Sequence, residues 1–561
     1  MRCSLPWLLG PALAAQIACG SPDAPAIDSA PDTILVNGTI LTIDDEFTVA
    51  EALALGDGRI LSVGSTADIE ALAGPDTGRL DLLGRTVLPG FGDGHFHSAG
   101  GGPGVNLSSA RSLDDVLQAV ARRVGETPAG EIVMSNSDWH EAQLVEQRLP
   151  LRRDLDRVAP DTPVVLVRGG HEYILNSAAL ALWGIDERTP VPDGGRISRY
   201  PDGAINGELV DTAKALAVLP PAAAKTDDQW IADFLAQQAR LHEAGLTSIR
   251  LASARIEDYR LLQEIHRRGQ LALRVSVLLR LDGNADPADV EATLDRWGVT
   301  PGEGDAMLRV DGIKLGVDGG FEGGYFRKPY EEPWGEGGEY YGLRTVDPER
   351  FVEVVRTLNR RGWSVGTHAV GDAAIDLVLE AYEAAHADQP ITGRRWALEH
   401  GFVVAPDQLP RLAALDLVIS AQHHLYLAGP SLVKYWGREQ AERVTPVRTY
   451  LDHGFVVAGG SDSPVAPFPP LGTLYHFVTR NTIAGGVMGA EEGVTVEEAL
   501  RISTRNTAYL SFAEADRGTL EPGKLADLIV LDRNPLDVAP AELNTLQVGM
   551  TMVDGRILHA R

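Results

Sequence analysis

Eight apolar, strand-like runs spread through the middle of the chain constrain its fold more than any other feature. They are residues 90–97, 246–251 (LTSIRL), 272–279 (ALRVSVLL), 309–316 (RVDGIKLG), 363–368 (WSVGTH), 395–400 (RWALEH), 417–422 (LVISAQ) and 455–462 (FVVAGGSD). Helical patterns at 227–244, 256–268, 348–361 and 372–386 fall between them. Parallel strands need long crossovers, and a helix is the usual one. The repeated alternation therefore predicts an α/β chain built as a (β/α)8 TIM barrel. Two further strand-like runs, EIVMSNS and PVVLVRGG, have no helix-length spacing and are assigned to a long insertion after the first barrel strand, about residues 98–245.

Both flanks of this region are β-rich. DTILVNGTILTID and ALALGDGRILSVG carry Asn-Gly and Gly-Asp-Gly turns between apolar runs, and KLADLIVLD and VGMTMVDGRILHA repeat the pattern at the other end. Such turns between short apolar runs read as hairpins. We expect one small β-sandwich domain assembled from both termini, residues 32–88 and 513–561, around a barrel spanning residues 89–512.

Composition narrows the function. The net charge of −28 opposes a phosphate backbone or an anionic bilayer, so nucleic acid is not an expected partner. The two cysteines are Cys3 and Cys19, which leaves the body of the chain without a disulfide, an iron–sulfur site or a cysteine nucleophile. The opening MRCSLPWLLGPALAAQIACGS has one basic residue, a short apolar run and then small residues, as a secretory signal does. Cys19 after Ile17 and Ala18 resembles a bacterial lipoprotein cleavage site, although Gln16 stands where Leu is usual. The expectation is a leader at 1–19, a Pro-rich tether at 20–31, and export to the periplasm or cell envelope. Membrane attachment would come only through a lipid on Cys19. Ordinary signal cleavage, leaving a soluble protein, is the alternative.

In a barrel of this kind, chemistry belongs at the C-terminal ends of the strands. The first run ends in His95 and His97, which the strand period of two turns to one side. Lys314 lies on the fourth run, His368 ends the fifth, His400 the sixth and Asp462 the eighth. Six such residues at five strand ends, from only 14 histidines in the chain, point to a divalent metal site. No G-x-S-x-G elbow is present for a serine nucleophile, and no G-x-G-x-x-G follows a strand for a dinucleotide.

The ordered set LPGFGDGHFH, IKLGVDG, GTHAVGD, ALEHG and GGSDSPV resembles the amidohydrolase superfamily. RGGHEYILNSAALALWGI and THAVGDAAID resemble its amidohydrolase-3 branch, which includes N-substituted formamide deformylases. The likeness extends from about residue 32 to 561. It implies that His95, His97 and Asp462 bind one metal. His368 and His400 would bind a second ion, or help position the substrate if one ion is present. Lys314 would carry a carbamate that bridges two ions. Zinc suits four imidazoles with oxygen donors, with iron, manganese and nickel as alternatives. The resemblance further implies that metal-activated water attacks a carbonyl carbon, with Asp462 accepting its proton. His171 is the expected donor to the developing oxyanion, and Arg168 and Asn176 are expected to line the pocket for a small-molecule substrate.

The implied activity is hydrolysis of a non-peptide C–N bond in an N-substituted formamide or another N-acyl amine. A cyclic-amidase or aminohydrolase activity on the same site is the alternative, and a non-catalytic, ligand-binding lipoprotein is the reading from another class. A homodimer is expected by analogy alone. LGVDGGFEGGYF departs from the branch's usual small polar sequence after the Asp-Gly, so substrate preference does not transfer; its composition suits a lid or substrate loop. Asp211 stands in GELVD where relatives more often have Glu. His423 and His424 lie just beyond the seventh run and read as a surface pair, with a place at the rim of the mouth as the alternative.

Overall fold

The computed structural model describes residues 30–219, 225–331 and 338–561. The expected leader, with Cys3 and Cys19, and nearly all of the tether lie outside the described residues. The centre is an eight-stranded parallel sheet in sequence order. Its strands are β1 (Phe91–Phe96), β2 (Leu246–Ala254), β3 (Arg274–Arg280), β4 (Leu308–Gly316), β5 (Ser364–Ala369), β6 (Ala397–His400), β7 (Val418–Gln422) and β8 (Val457–Gly460). Each run expected to be a barrel strand is one, with ends shifted by a few residues.

The crossover helices start and stop where local chemistry directs. Helix Pro287–Trp297 follows an Asp286 side chain that caps the Ala288 N–H, carries Pro at its first position, and ends at Gly298 with φ of 63°. Pro fits the first helical position and Gly the left-handed end. Helix Pro348–Arg360 repeats the Asp-Pro start and buries Phe351, Val354, Val355 and Leu358, one stripe of a 3.6-residue period. That stripe packs between the barrel and helix Asp372–Asp388, whose Ile375, Val378, Leu379 and Tyr382 are buried. Burying each such side chain contributes about 1.5–3 kcal/mol.

Closure of the barrel depends on glycine at the β1–β8 seam. A Cβ on Gly94 would come within 2.9 Å of the Gly459 carbonyl, and one on Gly460 within 2.6 Å of the His95 nitrogen. No regular ladder joins these two strands. Instead, the Asp462 N–H donates to the His95 carbonyl at 2.7 Å, and Asp93 on β1 accepts from the Ser461 N–H at 3.0 Å and the Ser461 hydroxyl. Asp93 is buried, and burial pushes its carboxyl up to about 7 against these hydrogen bonds.

The insertion after β1 forms its own five-stranded sheet, in the order Gly195–Arg199, Ile205–Asp211, Glu172–Leu175, Val164–Arg168, Val133–Met134. Helix Leu113–Glu126, opened by a reciprocal Ser112–Asp115 cap, packs Val116 and Val120 onto it. The tight hairpin pairing Arg168 with Glu172 presents residues 168–171 to the barrel mouth. Helix Asp227–Glu243 then leads back into β2.

The termini meet in small mixed sheets. Strand Leu528–Leu531 pairs antiparallel with Thr86–Pro89, the segment that runs through Gly90 into β1. Arg274 on β3 donates to Asp527 at 2.9 Å, so a buried ion pair ties the barrel floor to the C-terminal strand.

Candidate metal centre

The strand ends converge as their order along the chain requires. His95 and His97 both approach the same oxygen of Asp462, Oδ1, with their Nε2 atoms at 3.5 and 2.8 Å. This is the shared face that alternation along β1 dictates. One ligand atom from each of His95, His400 and Asp462 lies within 4.8 Å of the others. The His400 ring is 4.7 Å from that of His95 and 4.6 Å from that of His368. Lys314 Nζ is 3.4 Å from His95 Nε2. The six sequence-predicted metal residues are thus gathered at one mouth. His368 sits at the edge, its Nε2 3.1 Å from the Gly319 carbonyl oxygen.

Backbone strain shapes the centre. His400 has φ of 75° and Asp462 has φ of 57°. Non-glycine residues in the left-handed region cost about 1–3 kcal/mol and concentrate at functional sites. At His400 the departure breaks strand alternation, so the adjacent Glu399 and His400 both reach the interior.

The imidazoles are oriented from behind. Glu399 Oε2 lies 2.7 Å from His95 Nδ1, and Gln422 Oε1 lies 2.7 Å from His400 Nδ1. An acceptor at Nδ1 leaves Nε2 with its lone pair, the form that a metal needs. Glu399 also accepts from Arg250 at 2.7 Å. Burial alone would raise the Glu399 carboxyl, but Arg250, His95 and Lys314 hold it well below the usual range. Burial, then the Lys314 cation, pushes His95 down to about 3, and burial brings Lys314 down to about 8. His400 is likewise held well below its ordinary value by burial. Neutral imidazoles, an ionised aspartate and preset tautomers fit a divalent ion.

Beside this centre opens a cleft whose walls include Trp139, Phe321, Phe402, His171 and Arg168. His171 Nδ1 is 2.6 Å from Asp211 Oδ1, and its ring stacks on His368 with centroids 5.5 Å apart. Burial opposes protonation of His171, but Asp211 outweighs it and raises the ring above its ordinary value. Glycines make this pairing fit: a Cβ on Gly319 or Gly323 would lie 2.1 or 2.3 Å from Asp211 Oδ2. Asp211 itself has φ of 49°.

Two expectations are corrected. Asn176 does not line the cleft. It is fully buried and caps helix Ser177–Leu182, with its oxygen accepting from the Val164 and Ala179 N–H groups and its amide donating to Ala159 and Thr162. His423 and His424 are not a surface pair, because both are buried. His424 Nε2 is 3.1 Å from Asp462 Oδ2 and lines the cleft, whereas His423 turns away to Thr473. Arg168 does line the cleft, but its guanidinium is engaged by Glu141 and Glu322. The sequence reading missed Glu141, Glu322, Glu399 and Gln422. Of these, only Glu399 and Gln422 had a signal, their positions at the ends of β6 and β7.

The amidohydrolase family model matches residues 79–559. An N-substituted formamide deformylase of Arthrobacter pascens is 31% identical over 544 residues, covering 94% of this chain and 98% of that protein. A metal-dependent hydrolase of Pyrococcus furiosus superposes with a TM-score of 0.64 at 26% identity, covering 90% of this chain and 100% of the other. One from Pyrococcus horikoshii gives a TM-score of 0.67 at 24% identity, covering 91% and 99%, and speaks to the fold alone.

Proposed function

The chain belongs to the amidohydrolase family, and on that premise we propose that it is a metal-dependent hydrolase of a non-peptide C–N bond in an N-substituted formamide or another N-acyl amine. The observation that carries this reading is the convergence of His95, His400 and Asp462 within 4.8 Å at the strand ends. A divalent ion held by these residues with His97, zinc by the character of the donors, would supply a Lewis acid and an acidified water. His368 and Lys314 would hold a second. The neutral amine of Lys314, favoured by its burial, adds to carbon dioxide with loss of one proton and becomes a carbamate.

Asp462 accepts the proton of the attacking water as the new C–O bond forms at the carbonyl carbon. His171, held by Asp211, donates a hydrogen bond to the carbonyl oxygen as charge builds there. Asp462 then returns the proton to the leaving nitrogen as the C–N bond breaks, releasing a carboxylic acid and an amine, which exchange a proton in water to become a carboxylate and an ammonium. Phe321, Phe402 and Trp139 exclude water from one side of the cleft. Export, with a lipid on Cys19, and assembly as a homodimer belong to the same proposal.

The test is turnover of a panel of N-formyl amines, N-acyl amines and cyclic amides by zinc-loaded wild type and by folded Asp462→Asn. Amine release by the wild type, lost in the variant, supports the reading. A wild type that releases no amine from any of them, or an equally active Asp462→Asn, overturns it.

A further inference from the structure

At the cleft wall one guanidinium, that of Arg168, faces three buried carboxylates. Arg168 is 4% exposed and its fork is filled by Glu141, with Nε and Nη2 donating at 2.8 and 2.9 Å. Tyr435 adds a hydroxyl donor to Glu141 at 2.9 Å. The one remaining guanidinium nitrogen, Nη1, faces two further carboxylates, Glu322 and, at 3.3 Å, Glu172. Both are essentially inaccessible, at 1% and 0% exposure. Lys214 donates to the Gly170 carbonyl and Arg196 to Glu208 at 2.8 Å, and both cations also act through space on Glu172.

One guanidinium nitrogen does not satisfy both Glu322 and Glu172 with hydrogen bonds. Among the described residues, Glu322 Oε2, both oxygens of Glu172 and Asp211 Oδ2 are buried without a hydrogen-bond partner. A buried unpaired acceptor is costly, and of these only Glu322 places one in the wall of the cleft. Glu322 and Arg168 both line the cleft that holds His400, Asp462 and His171. Glu322 stands in the glycine-rich GGFEGGYF stretch that follows β4.

We propose that Glu322 is a specificity-determining residue, and that the preferred substrate is an N-acyl amine whose N-substituent carries a protonated amino group. This rests on the hydrolase reading above. An ammonium group brings up to three donors and one positive charge to the unpartnered oxygen of Glu322. The guanidinium of Arg168, filled by Glu141, is not available as an anchor for a carboxylate-bearing substrate, which meets like charge instead.

Three amides with one formyl group and one four-carbon chain separate the cases: mono-N-formyl-1,4-diaminobutane, N-butylformamide and 4-formamidobutanoate. Their binding to the zinc-loaded full chain is measured by calorimetry. The cation is expected to bind about tenfold or more tighter than the neutral amide, with the anion weakest. Glu322→Gln should bring the cation-to-neutral ratio towards one, and Glu322→Asp should retain a preference. A wild type that binds the cation no better than the neutral amide overturns the proposal, even where Glu322→Gln fails to fold. So does a ratio unchanged in folded Glu322→Gln. Cation-selective binding without hydrolysis contradicts the hydrolase reading alone, and hydrolysis without selectivity contradicts this one alone.

Discussion

The backbone N–H of Asp462 donates to the carbonyl of His95 at 2.7 Å. This bond, with that from the His97 N–H to the Ser463 carbonyl at 3.0 Å, joins the end of the last barrel strand to the first where both carry a ligand. The metal centre and the closure of the barrel are therefore the same piece of structure, and changes to either should register in the other.

Removing the acceptor behind His95 should loosen the metal without emptying the fold. Glu399→Gln keeps the shape but weakens the bond that fixes the His95 tautomer. Metal affinity should fall about 10–100-fold, read by competition with a chromophoric chelator. Gln422→Ala should act similarly through His400.

The His171–Asp211 pair should matter for rate more than for binding. His171→Ala is expected to lower kcat by about 10²–10³-fold on any amide the protein hydrolyses, with a smaller change in KM. Asp211→Asn should fall between that variant and wild type, because the imidazole stays but loses its charged partner. Steady-state kinetics on the three proteins checks both statements.

Arg274→Ala should destabilise the chain and leave the site chemistry alone. It abandons Asp527, 4% exposed, without its cation. Breaking one side of a buried pair costs about 3–5 kcal/mol, which denaturant unfolding of the metal-loaded protein would reveal.

Acid should unfold the protein through its buried histidines. Burial pushes His140 and His423 down to about 3 from an ordinary value of 6.5. Between those values the unfolded chain binds protons that the folded chain does not, so stability falls as pH drops from 6.5 towards 3. Each histidine contributes a slope of about 1.4 kcal/mol per pH unit within that window. Unfolding free energies at pH 7, 6, 5 and 4 should decline for wild type and decline less steeply for His423→Gln.

Much of this centre is legible in the sequence because strand periodicity and barrel topology convert positions into places. His95 and His97 share a face by a period of two, and the ends of β4, β5, β6 and β8 must meet at one mouth. The cleft wall was less legible. Glu141 and Glu322 come from a short turn of the insertion and a glycine-rich loop, where no period constrains direction. The pairing of Asp211 with His171 depends on a left-handed backbone and on room made by Gly319 and Gly323. Asn176 had a readable signal that pointed elsewhere: an Asn directly before SAALAL is a helix cap. His423 and His424 sit where β7 gives way to helix His424–Trp436, and that change of direction buries both.

The most direct test is the metal content of the purified protein, measured by elemental mass spectrometry for wild type and for His95→Ala and His400→Ala after incubation with zinc and removal of the excess. The account predicts one or two tightly held ions per chain in wild type and a loss of at least one in each folded variant. A wild type that retains none, or variants that retain as much as wild type, would contradict it.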